Sequence, residues 1–200
     1  MDDTTQRRRM PRSERRAQLL AVARELIREA GTDEFTLGRL AERAGVTKPV
    51  VYDHFGDRAG ALAELYRAFE EQQRSTLIAA LADTDPDLDG VCRAVAGAYI
   101  DCSLAEGREL ADVVSALDGS ATLVEVRREA EAAYLALCDE ALASCGARLD
   151  GAGAQALVGA GDSLSRAALD GRISATSARA VLTRVLQALT DPTTTRPEAS

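Results

Sequence analysis

The stretch Thr36 to Phe55, TLGRLAERAGVTKPVVYDHF, constrains the chain more than any other. Leu37, Leu40, Ala41 and Ala44 recur at three- and four-residue steps, which places them on one face of a helix. Gly45 follows, where a chain leaving a helix needs a left-handed residue. Val46 is placed to plug the corner, and Thr47 to cap a second helix through its hydroxyl. Pro49 falls in that helix's first turn, where a missing N–H costs nothing. Val51 and Phe55, four apart, pack back on the first helix and leave Lys48, Val50, Tyr52, Asp53 and His54 on the other side. Two readings fit: a helix-turn-helix whose second helix enters a DNA major groove, or an αα-hairpin that only packs. The outward residue types favour DNA: a cation, an apolar Val50 for a thymine methyl, and hydrogen-bonding Tyr52 and His54.

The run AGVTKPVVYDHFGDR, preceded by Thr36-Leu37 and Leu40-Ala41, resembles the N-terminal domain of the TetR family of bacterial transcriptional regulators. The resemblance covers about residues 13 to 66; the remainder matches only in length and helical character. It implies a homodimeric, ligand-responsive repressor of a double-stranded DNA operator. By the same resemblance Arg58 touches phosphate, as do Thr36, Thr47, Tyr52 and His54, which fix register. Lys48, Pro49 and Val50 are left to meet base edges, with Lys48 suited to guanine by side-chain type. Asp53 departs from the basic or aromatic residues usual there, and is expected to point away from phosphate or to accept from a cytosine amine.

A net charge of −8 runs against DNA binding until its distribution is read. Residues 7–58 carry 12 Lys+Arg against 8 Asp+Glu, whereas residues 59–200 carry 12 against 22. The basic excess travels with the helix-turn-helix, where phosphates would lie. Arg7-Arg8-Arg9 and Arg12 make residues 1–12 a flexible basic arm, either reaching DNA or simply solvated.

The rest reads as an all-α protein of about nine helices: a helix-turn-helix domain over 13–56, a regulatory and dimerisation domain over 57–190, and a disordered tail over 191–200. Ser13, Thr36, Asp57, Asp85, Ser120 and Ser174 are the expected start signals. A helix from Asp57 to Leu81, about 35 Å long at 1.5 Å per residue, links the two domains and is the natural transmitter between them. The stretch Asp150–Gly171 is rich in Gly and Ala, which lets helices approach closely; Gly159-Ala160-Gly161 is a packing feature rather than a phosphate cradle. By position, the last two helices resemble the family's dimer interface; the alternative is that they close a monomer's core.

The inventory argues against an enzyme. His54 is the single histidine, and there is no P-loop or strand-borne G-x-G-x-x-G. No pair among Cys92, Cys102, Cys138 and Cys145 has C-x-x-C spacing, so neither a metal nor a cofactor is expected. The thiols read as small buried hydrophobes, with redox gating as the alternative. No apolar run of 18 residues and no signal peptide is present, so no membrane association and a cytoplasmic location are expected.

The resemblance places a small-molecule pocket between the C-terminal helices. Tyr99, Cys102, Ser103, Tyr134 and Cys138 interrupt apolar stripes there and, with Val113 and Leu117, form the candidate ligand set. The tyrosines fit equally well as core aromatics. No cluster of carboxylates or cations on an apolar face announces a charged effector, so a modest apolar one is expected. The alternatives are a DNA-binding regulator without a ligand, constitutive or thiol-gated, and a helical protein-interaction module.

Overall fold

The computed structural model describes residues 10–107, 113, 116 and 121–190. The described residues form eight α-helices: α1 Arg12–Ala30, α2 Leu37–Arg43, α3 Lys48–Phe55, α4 Arg58–Ala82, α5 Leu88–Glu106, α6 Ala121–Ala143, α7 Gly151–Leu169 and α8 Ala175–Thr190. The all-α reading holds. Between α5 and α6 the described residues are Val113 and Ala116, both helical. Leu117, the Ser120 cap, the arm through residue 9 and the 191–200 tail lie outside the described residues.

Local chemistry sets most helix starts. Thr36 Oγ1 accepts from Arg39 N at 3.2 Å, Asp57 Oδ1 from Gly60 N at 2.7 Å, Asp150 Oδ1 from Gly153 N at 2.6 Å and Ser174 Oγ from Ser177 N at 3.0 Å. Three expected caps differ. α1 begins after Pro11 with no side-chain cap, so Ser13 is already inside the helix. Asp87, not Asp85, caps α5, because its carboxylate reaches Gly90 N at 2.6 Å. Thr47 occupies the N-cap of α3, but its hydroxyl makes no capping bond.

The hydrophobic interior forms two clusters. The first joins Leu19, Ile27, Phe35, Leu37, Leu40, Val51 and Phe55 to Leu62, Leu65 and Phe69 of α4, and takes in Val113 and Val126. The core of the head therefore continues past residue 56. The second cluster surrounds α5, which packs on α4, α6, α7 and α8. Val95, Ala96 and Ile100 of α5 are fully buried there with Leu142, Leu157, Leu182 and Leu186. Each buried Leu or Ile contributes about 1.5–3 kcal/mol relative to exposure. α4 enters both clusters, through Leu62–Phe69 at one end and Leu77 at the other, and α6 does so through Val126 and Tyr134–Leu142.

Two glycines fix how closely the helices meet. A Cβ on Gly60 would lie 2.1 Å from the Phe55 carbonyl oxygen, so the end of α3 rests on the first turn of α4. A Cβ on Gly161 would lie 2.5 Å from the Tyr99 ring, so α7 meets α5 through a missing side chain. A salt bridge joins head to body: Arg24 of α1 lies 3.0 Å from the buried Glu106 carboxylate at the end of α5, with its guanidinium 4.3 Å from the Phe69 ring centroid. Among the described residues no helix is long and apolar enough to cross a membrane.

Candidate nucleic-acid interface

The two faces of α3 separate as its spacing dictates. Val51 and Phe55 are buried against the head core. Thr47, Lys48, Pro49 and Tyr52 are exposed, Tyr52 at 52%, and Val50 and His54 are half-buried. An aromatic side chain left half in water, on a helix whose other face is fully packed, is a contact surface without an intramolecular use.

Thr36 and Lys48 converge. The Lys48 stem lies over Gly38, with Cε 3.6 Å and Nζ 3.9 Å from where a Gly38 Cβ would stand, and Thr36 Oγ1 is 3.8 Å from the same point. The ammonium thus sits over the first turn of α2, where the helix already presents unpaired N–H groups. A hydroxyl, a cation and a helix N-terminus together suit a phosphate.

Asp53 is answered from α1. Arg12 Nη1 lies 3.1 Å from Asp53 Oδ2, and Arg12 Nη2 donates to the Asp53 carbonyl at 3.0 Å. Arg12 therefore belongs to α1 and holds α3. It also neutralises the one carboxylate on a face that would meet phosphates. Met10, Pro11, Arg12, Arg15 and Gln18 face Pro49, Val50, Asp53 and His54 across a groove. Partial burial, then the Arg12 cation, holds the His54 imidazole below its usual pKa, so the ring is neutral at pH 7.

Arg58 is exposed at the start of α4, with its guanidinium engaged by backbone carbonyls. Its Nε donates to the Phe35 carbonyl at 3.0 Å and an Nη to the Thr32 carbonyl at 2.6 Å. It braces the α1–α2 connector against the start of α4.

The candidate ligand residues divide. Tyr99, Tyr134 and Cys138 share the body core, with the two rings edge to face at 5.8 Å. Cys102 is buried on the same helix as Tyr99. Ser103 turns into its own helix, its Oγ donating to the Tyr99 carbonyl at 2.8 Å. Val113 packs in the head core instead. Residues that the sequence reading passed over also gather here. Tyr99 donates to Asp162 Oδ1 at 2.7 Å. Glu70 engages Tyr66; burial raises its carboxyl above the usual range, and the nearby Glu131 and Asp162 carboxylates add to that rise. These carboxylates, with the Arg127 cation that also acts on Glu70, come from α4, α6 and α7, a grouping that no single helix displays.

Residues 19–65 match the bacterial regulatory proteins of the tetR family. The N-terminal domain is a tetR-family domain. Over 70 residues the chain is 40% identical to the HTH-type transcriptional activator FasR of Mycolicibacterium smegmatis, a match that spans 35% of this chain and 30% of FasR. Beyond the tetR-type head, the whole fold is similar to solved structures. The fatty acid degradation regulator FadR of Bacillus halodurans superposes with a TM-score of 0.70 at 20% identity, over 86% of this chain and 94% of that one. A TetR-like transcriptional regulator of Rhodococcus sp. RHA1 gives 0.68 at 20% identity, over 90% and 97%. At these identities the likeness establishes the shared all-α architecture of head and body.

Proposed function

We propose that this chain is a sequence-specific DNA-binding transcriptional regulator that acts as a homodimer and releases its operator when a small molecule binds the body. The observation that carries the reading is the outer face of α3: Tyr52 half in water, with Lys48 and Thr36 drawn together over the start of α2. On this reading Thr36, Lys48, Thr47, Tyr52 and His54 position the protein on phosphates. Pro49 and Val50 face base edges, and Lys48 can extend from its phosphate to a guanine. Arg58 acts through the connector it braces, with its remaining donors available to the backbone of the DNA.

The dimer is supported by α7. Its outward residues Ala152, Ala156, Gly159 and Ser163 are exposed and small, and they recur at helical spacing. A second copy can approach such a stripe closely. Two heads on one dimer then match half-sites about 34–36 Å apart. Ligand response is supported by the polar groups that lie between α4, α5, α6 and α7. Thiol gating is disfavoured for the buried cysteines, because burial pushes Cys102 up to about 11 and Cys138 up to about 12, and also raises Cys92.

The test is fluorescence anisotropy of the purified chain with DNA from upstream of its own gene, beside a scrambled duplex, at two salt concentrations. Tight binding to the upstream duplex alone, weakening as salt rises, is the expected result. Equal weak binding to every duplex from the surrounding genome would sink the proposal. Light scattering of the same sample reads the dimer directly.

A further inference from the structure

Three of the chain's four tyrosines lie near one another where the two cores adjoin: Tyr99 and Tyr134 in the body core, and Tyr66 in the head core. They meet with the carboxylates of Glu70 and Asp162: Tyr66 engages Glu70, and Tyr99 donates to Asp162 at 2.7 Å. These side chains come from four successive helices, α4, α5, α6 and α7, so only the fold brings them together. Both carboxylates are half-buried, and the Arg127 cation offsets only part of the cost that burial puts on Glu70.

The site also contains groups whose partners are missing. The Tyr134 side chain is buried, and its hydroxyl, beside the Cys138 thiol, makes no well-directed hydrogen bond with any described residue. Ser165 Oγ, one turn from Asp162 on α7, is likewise buried without a partner among the described residues. A buried hydroxyl left unpaired is rare and calls for a ligand atom or a water. Among the described residues no group of side chains is placed to hold a metal ion. The acidic groups are spread over several helices and interleaved with aromatic rings, which suits an organic cation: carboxylates for its charge, ring faces for its cation–π attraction.

We infer that the body binds an organic cation, an amine or guanidinium carried on an apolar or aromatic frame, through Glu70 and Asp162 with Tyr66, Tyr99 and Tyr134 around it. This rests on the ligand-responsive reading given above and replaces the apolar effector expected from the sequence. The protonated nitrogen lies between the two carboxylates, and the Tyr134 hydroxyl accepts from it or donates to a polar atom of the frame.

The test uses three probes of one shape: 4-phenylbutylamine, 4-phenylbutanol and 4-phenylbutyrate, titrated calorimetrically into the full chain at pH 7. The amine is expected to bind at least about tenfold more tightly than the carboxylate, with the alcohol between them. Glu70→Gln and Asp162→Asn should each erase most of that preference. Because the probe series is read on the unaltered protein, the result does not depend on the variants folding. An amine that binds no better than the carboxylate, or no binding by any probe, overturns the inference. If the amine binds with the expected preference but leaves operator affinity unchanged, the ligand class stands and the ligand-release reading fails.

Discussion

Arg12 holds Asp53 by two bonds, one to the carboxylate at 3.1 Å and one to the backbone carbonyl at 3.0 Å. The pair is largely exposed and adds little to stability. On the proposed function its importance is for binding, because Arg12 screens the one acidic side chain of α3. Arg12→Ala should weaken operator binding roughly three- to tenfold, more than the loss of a solvated arginine would. Asp53→Asn in the Arg12→Ala background should restore most of that loss. Anisotropy on the four proteins of this cycle gives the coupling; simple additivity would show that Arg12 acts on DNA alone.

Gly60 is the tightest contact between α3 and α4. Gly60→Ala should destabilise the chain by about 1–3 kcal/mol, since the new methyl group meets the Phe55 carbonyl rather than a side chain that can move. Gly97→Ala is the matched control. It lies inside α5 with nothing within 4 Å of the new methyl group, and should gain about 0.5–1 kcal/mol from helix propensity. Urea denaturation of both variants separates crowding from backbone freedom.

Glu70 should make stability fall as pH rises. Its carboxyl titrates above the unfolded value, so the folded chain holds the proton more tightly. The stabilisation is complete below the unfolded pKa and is lost as pH climbs through the folded one. Glu70→Gln should therefore melt higher than the parent at pH 7, and the gap should close as pH drops toward about 4.3. A gap independent of pH would mean that the carboxyl is solvated.

Arg24 ties the head to the body through Glu106. Arg24→Ala leaves the buried Glu106 carboxylate without this cation and strips a cation from the Phe69 ring. The expected loss is about 1–3 kcal/mol, reduced from a fully buried pair because Arg24 keeps some solvent contact. Hydrogen exchange should show α1 and the end of α5 loosening together.

The thiols differ in access. Cys145 is only partly buried, and its sulfur is 3.4 Å from the Pro86 carbonyl, whereas Cys92, Cys102 and Cys138 are buried. Iodoacetamide at pH 8 should label Cys145 first, and the other three only on unfolding, as peptide mass spectrometry would read. Early labelling of Cys102 would revive a redox role.

Much of the head was legible because its signals are local. The Val51–Phe55 spacing separates the faces of α3, and Thr36 and Asp57 cap helices by reaching three residues along the chain. Asp85 was misread because it and Asp87 both precede a helix, and only the position of Gly90 N decides between them. Gly60 and Gly161 carry no sequence mark, since a glycine that admits a neighbour looks like any other glycine until the neighbour is placed. The interior polar cluster was invisible for the same reason. Glu70 and Asp162 each lie on an ordinary amphipathic helix, and their meeting is a property of tertiary packing. Arg12 looked like part of a tail because a run of arginines has no periodicity to reveal where the helix begins.

The Gly60 contact has a mechanical side. With the Phe55 carbonyl seated where a side chain would be, the end of α3 is held close against the first turn of α4. α4 has 25 residues, so it is a rod about 37 Å long. Pivoted near Leu77 in the body, a tilt of about 7° carries its far end through about 3.5 Å, close to the 3.4 Å between successive nucleotides of a DNA strand. On the proposed function, a deflection small enough for most of the body's packing to absorb is then large enough to set α3 one letter out along its text.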